Sequence, residues 1–160
     1  MNDTLHNPFV VGLIADTHGL LRPKALAALH GVAMIIHAGD VGRADILDML
    51  QNIAPTVAVR GNVDRGAWAA SLPETQMVEV GDVHIYVLHD VKSLNIDPAA
   101  AGVQAVIFGH SHWPGIEERN GVLFINPGAA GPRRFKLPVT VGRLTVADGR
   151  LHAEIVELIG

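Results

Sequence analysis

"FVVGLIADTH", residues 9–18, decides the fold. The run from Phe9 to Ala15 is short, apolar and rich in β-branched residues, and it stops at Asp16. Such a run reads as a strand buried on both faces. "VAMIIHAGD" (32–40) is a second run of this kind, ending in Gly39 and Asp40, and "PTVAVRGN" (55–62) is a third, ending in Gly61 and Asn62. Helix-like segments lie between them. "RPKALAALHG" (22–31) has Pro23 near a helix start, where its missing N–H is tolerated, and Gly31 at a helix end. "RADILDMLQNI" (43–53) carries Ile46, Leu47, Leu50 and Ile53 at helical spacing. Strands alternating with helices predict βαβ units and a parallel or mixed sheet.

Further along, the pattern changes. "TQMVEVGDVHIYVLHD" (75–90) reads as a hairpin turning at Gly81-Asp82, "IDPAAAG" (96–102) as a short helix, and "VQAVIFGH" (103–110) as a strand. "GIEERNGVLFIN" (115–126) and "VTVGRLTVADGRLHAEIVELI" (139–159) turn at Asn120-Gly121 and Asp148-Gly149, so the last third looks antiparallel. The expected class is α/β, with two packed sheets flanked by helices and the second sheet the more antiparallel.

The 160 residues suit one domain, expected to run over 1–160. With 49% hydrophobic and 18% charged residues the composition is that of a globular chain. A formal net charge of −4 offers no electrostatic footprint for nucleic acid or an anionic membrane. The absence of cysteine excludes disulfides and thiolate metal sites. The run Phe9–Ala15 is too short for a membrane span or a signal-peptide core, so a cytoplasmic location is expected.

The ends of the predicted strands carry the chemistry. The first delivers Asp16 and His18, the second Asp40, the third Asn62, the hairpin His89, and the strand over 103–110 delivers His110 and then His112. Ligands of open α/β sheets bind at the carboxyl ends of strands. Two carboxylates, four imidazoles and one amide suit borderline divalent ions. Seven donors are too many for one tetrahedral ion and suit two ions that share a carboxylate. Gly39, Gly61 and Gly109 each precede one of these residues and let backbone approach closely. In an extended "HSH", alternation would put Ser111 on the face opposite the two histidines, so that one short segment could present both. His37 and His84 fall inside strands and read as structural, and His6, His30 and His152 as surface residues. A single Asp after a strand is also a common helix cap, so the reading rests on five strand ends sharing one chemistry.

Read in order, "DTH" (16–18), "GD" (39–40), "GNVD" (61–64), His89 and "GHSH" (109–112) resemble the motif set of the calcineurin-like metallophosphoesterases. "INPGAAGPRR" (125–134) and the chain length resemble the small YfcE-type phosphodiesterases of that superfamily. The resemblance implies a four-layer αββα sandwich. It implies that Asp16, His18 and His112 hold one metal, that Asn62, His89 and His110 hold the other, and that Asp40 bridges them. Asp40, Asn62 and His110 are the ligands it implies also act in catalysis. Two divalent ions follow, Mn first, with Fe, Zn, Ni or Co as alternatives. The implied reaction is hydrolysis of a small phosphate ester, above all a phosphodiester, by in-line attack of a metal-bound hydroxide. Asp64 is expected to orient Asn62 or a ligand histidine, or to start a helix. Arg133 and Arg134 are expected to meet substrate phosphate or to lie on the surface.

Several positions depart from the family pattern. Val63 stands where many members carry a histidine near the leaving group, which predicts a preference for good leaving groups. Asp90 replaces a common glycine, and alanines replace the usual serines in "NPGAAGPRR". A non-catalytic metal-binding scaffold or protein-interaction module on the same fold is the alternative, as in the retromer scaffold subunit, and a mononuclear structural site is a third reading. All seven ligand positions are filled with competent residues, which favours catalysis. The loop over 133–139 is expected to tuck Phe135 in, with self-association into a homo-oligomer as its other use.

Overall fold

The computed structural model describes residues 7–159, so His6 lies outside the described residues. Among the described residues, ten strands form two five-stranded sheets. The first sheet contains β1 (Phe9–Ile14), β2 (Met34–His37) and β3 (Thr56–Ala58), all parallel, and adds β9 (Val139–Ala147) and β10 (Arg150–Ile159) antiparallel beside β1. The second contains β5 (Val83–Leu88), β6 (Ala105–Ile107) and β8 (Val122–Asn126), all parallel, with β4 (Thr75–Val80) and β7 (Gly115–Arg119) antiparallel at its two edges. Both sheets are therefore mixed, which corrects the expectation of one more antiparallel sheet. The final hairpin joins the first sheet. β9 carries buried residues on both of its faces, which requires neighbours on either side and places it between β1 and β10.

Alternation along the strands builds the layers. Val11 and Leu13 of β1, Ile36 of β2 and Leu144 of β9 meet Ile85 and Val87 of β5, Ile107 of β6 and Ile125 of β8 between the sheets. Removing such a side chain from water stabilises the fold by about 1.5–3 kcal/mol. The opposite faces of the first sheet, including Ile14 and Ile35, pack against α1 (Pro23–Ala28) and α2 (Ala44–Gln51). Pro23 occupies the first turn of α1, as its fixed φ predicts, and Ile46 and Leu50 of α2 are buried. At Gly12 a β-carbon would lie 2.6 Å from Leu29 Cδ2, so the glycine allows the end of α1 to sit directly on β1.

The outer layer over the second sheet is lighter. Leu88, Val103, Val106, Val122 and Phe124 are covered by Val91, Leu94 and Ile96 around a short 3-10 turn, Val91–Ser93. The helix expected over 96–102 is absent. Asp97 closes one turn, accepting from Ala101 N on its carbonyl at 3.0 Å and from Ala100 N on its carboxylate at 3.3 Å. Gly102 then takes a left-handed φ of 77° and the chain enters β6. A short helix not foreseen, α3 (Ala67–Ala70), follows β3. The Asn120-Gly121 and Asp148-Gly149 turns both have positive φ at both positions, the geometry that suits the twist of a hairpin. No helix among the described residues is long and apolar enough to cross a membrane.

Candidate metal centre

The parallel strands of both sheets point their carboxyl ends at one edge, and the loops beyond them interlock. The loops after β1 and β2 continue the parallel pairing past the strands: Asp16 N donates to Gly39 O at 3.0 Å, His18 N to Asp40 O at 2.9 Å and Gly19 N to Val41 O at 2.8 Å. A β-carbon on Gly61 would lie 2.2 Å from Asp40 N, and one on Gly109 would lie 2.8 Å from Asp16 Oδ2. The glycines before the predicted ligands thus permit close approach, as their positions suggested.

Five predicted ligands converge. Asp16, His18 and His112 place ligand atoms within 4.8 Å of one another, and so do Asp16, Asp40 and His89. Asp16 Oδ1 lies 3.8 Å from His18 Nε2, 3.8 Å from His89 Nε2 and 3.7 Å from His112 Nε2. Asp40 Oδ2 lies 3.6 Å from His18 Nε2 and 3.2 Å from His89 Nε2, so it also stands between the two groups. His110 falls outside these clusters, which comprise carboxylates and imidazoles only. Asn62 is exposed and lines a polar cleft of about 370 Å3 with His89, Asp90 and Asn95. His110 is 44% exposed, its ring edge-on to that of His89 at 5.2 Å, with Nε2 3.8 Å from Asp90 Oδ2. His110 and His112 therefore belong to different sides of the site. The reason differs from the expected alternation: both have left-handed φ, 73° and 67°, and Ser111 N donates to Gly109 O at 2.9 Å. The segment is a compact loop, and Ser111 Oγ faces away to accept from Asn126 Nδ2 at 3.2 Å.

Strain concentrates here. Of eight non-glycine residues with positive φ among the described residues, five are predicted ligands: Asp16, His18, Asp40, His110 and His112. Each such residue costs about 1–3 kcal/mol and persists only where its surroundings over-determine it.

The supporting residues explain how. Asp64 accepts from Val41 N at 3.2 Å, Gly42 N at 2.9 Å and Gly61 N at 2.8 Å. It therefore fastens the loops carrying Asp40 and Asn62 through backbone, and touches neither the Asn62 side chain nor a histidine in these bonds. The N-cap of α3 is Gly66, so Asp64 does not start that helix. His37 is fully buried, as a structural histidine should be. Gly39 N donates to its Nδ1 at 3.0 Å, so Nε2 carries the proton toward Thr17 Oγ1 at 3.0 Å, and that hydroxyl donates to Val41 O at 2.8 Å. His84 pairs with Glu79 at 3.2 Å in its hairpin, and His30 and His152 are exposed.

Two contributors were not foreseen in these roles. Asn126, the buried end of β8, donates to Gly109 O at 3.1 Å and accepts from Gly128 N at 2.9 Å, pinning the loop that carries His110 and His112. It is a sixth polar strand end, the one signal that marked it. Arg134 is the arginine whose charge reaches the site, lowering the pKa of Asp16, His18 and His112. Arg133 instead donates from Nε to Leu137 O at 3.1 Å within its own loop. Phe135 is exposed, which corrects the expectation that it tucks in.

The electrostatics fit a cation. Burial drives the Asp16 carboxyl up to about 7, against the pull of His89. Burial also acts to raise Asp40, but the His89 ring 3.2 Å from its Oδ2 and the hydrogen bond it accepts from Val63 N bring it down to about 2. Burial and Arg134 lower His112 to about 4, and burial lowers His18, so both rings are held neutral with a lone pair to offer. Asp16 Oδ1, His18 Nε2, His89 Nε2 and His112 Nδ1 are buried without a hydrogen-bond partner, and all belong to predicted ligands. Buried polar atoms are normally satisfied. Four orphans on the clustered carboxylates and imidazoles of one site are what divalent cations would satisfy.

Fold and site together define a metallophosphoesterase-type α/β sandwich with a candidate metal centre at its strand ends. The family model for the calcineurin-like phosphoesterase superfamily domain matches residues 9–149, and the chain belongs to that family. It is 34% identical to a probable metallophosphoesterase of Methanocaldococcus jannaschii, covering 96% of this chain and 84% of that protein. It is 24% identical to phosphodiesterase YfcE of Escherichia coli K12, covering 81% and 84%. Vps29 of Chaetomium thermophilum shares the fold, with a TM-score of 0.76 and 20% identity over 93% of this chain and 96% of that one.

Proposed function

We propose that the chain is a dinuclear metal-dependent phosphodiesterase. The observation that carries this reading is Asp16 Oδ1, buried and unpartnered, with three imidazole Nε2 atoms within 3.8 Å. Asp16, His18 and His112 would hold one cation, and Asn62, His89 and His110 the other, with Asp40 between them. Divalent ions there, Mn first among them, would supply Lewis acidity to a phosphoryl group and activate water for in-line attack.

The chain's own residues supply the rest. His18 and His112, kept neutral by burial, offer lone pairs without first losing a proton. His89 keeps its ring fixed by the Ala38 carbonyl. Arg134 adds positive charge where an anionic ester would approach. The polar cleft beside His89 and Asn62 leaves room for a substituent of the ester. The likeness to Vps29 concerns the fold, and fold alone does not carry function. The filled set of ligand positions supports hydrolysis over a scaffold.

The test is a metal-dependence assay on chelator-stripped protein with aryl phosphodiester and monoester probes. Activity returns with Mn or a similar ion and favours the diester. Hydrolysis that persists without metal, or a protein that takes up metal and cleaves neither probe, overturns the reading.

A further inference from the structure

Two exposed aromatic side chains directly follow, in the chain, residues tied to the candidate metal centre. Trp113 directly follows His112 and is 67% exposed. Phe135 directly follows Arg134, whose charge reaches Asp16, His18 and His112, and is 88% exposed. No other large apolar side chain among the described residues is as exposed as either. The two line one open cavity of about 720 Å3, completed by Lys136, Leu137 and Pro138.

Phe135 is held there against local preference. It occupies a left-handed φ of 54° in a turn closed by Leu137 N donating to Arg134 O at 3.1 Å. Glycine or asparagine accepts that conformation readily, whereas a phenylalanine is strained. Burial returns nothing to offset the strain, because the ring stays in solvent. Arg133 Nε, donating to Leu137 O, ties the turn across. Arg134 and Lys136 bracket the ring with positive charge. An aromatic shelf bordered by cations, one residue along the chain from His112 and from Arg134, suits a ligand that is anionic at one end and flat and apolar at the other. A second copy of this chain fits less well, since a twofold interface on this face would set Arg133, Arg134 and Lys136 against their own copies.

We infer that Trp113 and Phe135 form a stacking shelf for a planar aromatic group carried by the phosphate ester. They are then specificity-determining residues of the reaction proposed above, on which this inference rests.

The test is an equilibrium titration of the Mn-loaded full chain with methylphosphonate, phenylphosphonate and adenosine 5′-monophosphate, read by calorimetry and indole emission. Adenosine monophosphate binds about tenfold or more tightly than methylphosphonate, the range expected for one stacked base. The gap narrows in Trp113→Ala and in Phe135→Ala and survives in Trp113→Phe and Phe135→Tyr. Emission quenching disappears in Trp113→Phe while the gap remains. A matching gap for phenylphosphonate places the shelf one ring away from phosphorus, and a gap for the nucleotide alone assigns it to a nucleobase. Equal affinities, no nucleotide binding, a gap kept in both alanine variants, or a dimer that alanine turns into monomer in sedimentation overturns the inference. Hydrolysis of bis(p-nitrophenyl) phosphate is measured in parallel. Its absence overturns the phosphodiesterase reading and leaves the gap standing, whereas hydrolysis without a gap overturns only the shelf.

Discussion

His89 Nδ1 lies 2.8 Å from the carbonyl oxygen of Ala38. A carbonyl only accepts, so Nδ1 carries the proton, and the lone pair of a neutral His89 ring sits on Nε2, 3.2 Å from Asp40 Oδ2. A residue at the end of β2 thus sets the tautomer of a residue at the end of β5, joining the two sheets at the site. This is how supporting bonds orient a ligand histidine.

Asp40 is therefore the first residue to change. Burial disfavours the charged His89 ring, but the carboxylate of Asp40 outweighs it and raises the His89 pKa. Asp40→Asn removes the charge that stands between His18 and His89 while keeping the shape. Mn affinity and diester hydrolysis should both fall by more than the roughly 10–100-fold that loss of a supporting residue costs. Calorimetric titration and the hydrolysis assay measure this, and wild-type Mn affinity in the variant would remove Asp40 from the ligand set.

Asp64 predicts a different profile. Its carboxylate holds three backbone amides from two loops. Asp64→Ala leaves them without acceptors and should destabilise the protein by about 2–4 kcal/mol, seen as a lower Tm. Mn affinity should fall by about 10–100-fold, because Asp40 and Asn62 ride on those loops. Loss of metal affinity with an unchanged Tm would mean that Asp64 itself binds the ion.

Val63 is expected to set the choice of leaving group in the proposed reaction. Its backbone donates to Asp40 Oδ1 at 3.0 Å, while its side chain, 47% exposed, has no proton to give. Hydrolysis rates should fall steeply as the leaving-group pKa rises across a series of aryl and alkyl esters. Val63→His keeps the backbone bond and should raise rates on poor leaving groups by about 10²-fold, the usual worth of a placed acid. A flat dependence in the wild type would show that another group supplies the proton.

The strand ends were legible because apolar runs and their polar stops are local features of the chain. Gly39, Gly61 and Gly109 were legible for the same reason. The two sheets followed from the strand pattern, whereas the place of β9 did not, since it depends on which neighbours bury both its faces. Asp64 reaches amides 22 and 23 residues away, and Asn126 reaches Gly109 O across 17. Nothing in the spacing of either residue encodes such bonds. The left-handed φ of five predicted ligands was equally hidden, because Asp and His tolerate it only where tertiary contacts impose it.

The site's titration sets how metal and pH trade. Asp16 is raised from 3.8 to about 7, so its contribution to stability is full below pH 3.8 and is lost as the pH rises through 7. His37 is lowered by burial from 6.5 to about 4, so its contribution, about 3 kcal/mol, is full above pH 6.5 and is lost as the pH falls toward 4. A bound cation keeps Asp16 ionised and removes only the first slope. The rise in Tm on adding Mn should therefore be larger at pH 7.5 than at pH 5, and below pH 7 binding should release a proton detectable as a buffer-dependent heat. Equal Tm rises at both values would count against Asp16 as a ligand.

Gly61 and Gly115 separate close approach from mere flexibility. Neither has a left-handed φ, so alanine fits the backbone at both. At Gly115, on the exposed edge strand β7, a β-carbon meets nothing within 4 Å. At Gly61 it meets Asp40 N at 2.2 Å and Asp40 Cα at 2.9 Å, which are backbone atoms that cannot swing aside. Gly115→Ala should change Tm by no more than the shift from about 0.5 kcal/mol. Gly61→Ala must push the loop after β3 off the loop after β2, which separates Asn62 from Asp40 and strains the three amides on Asp64. Overpacking of this kind costs about 1–3 kcal/mol or more. Its Mn affinity should drop together with its Tm, and a Gly61→Ala protein matching Gly115→Ala in both measurements would show that the two loops are not locked to each other.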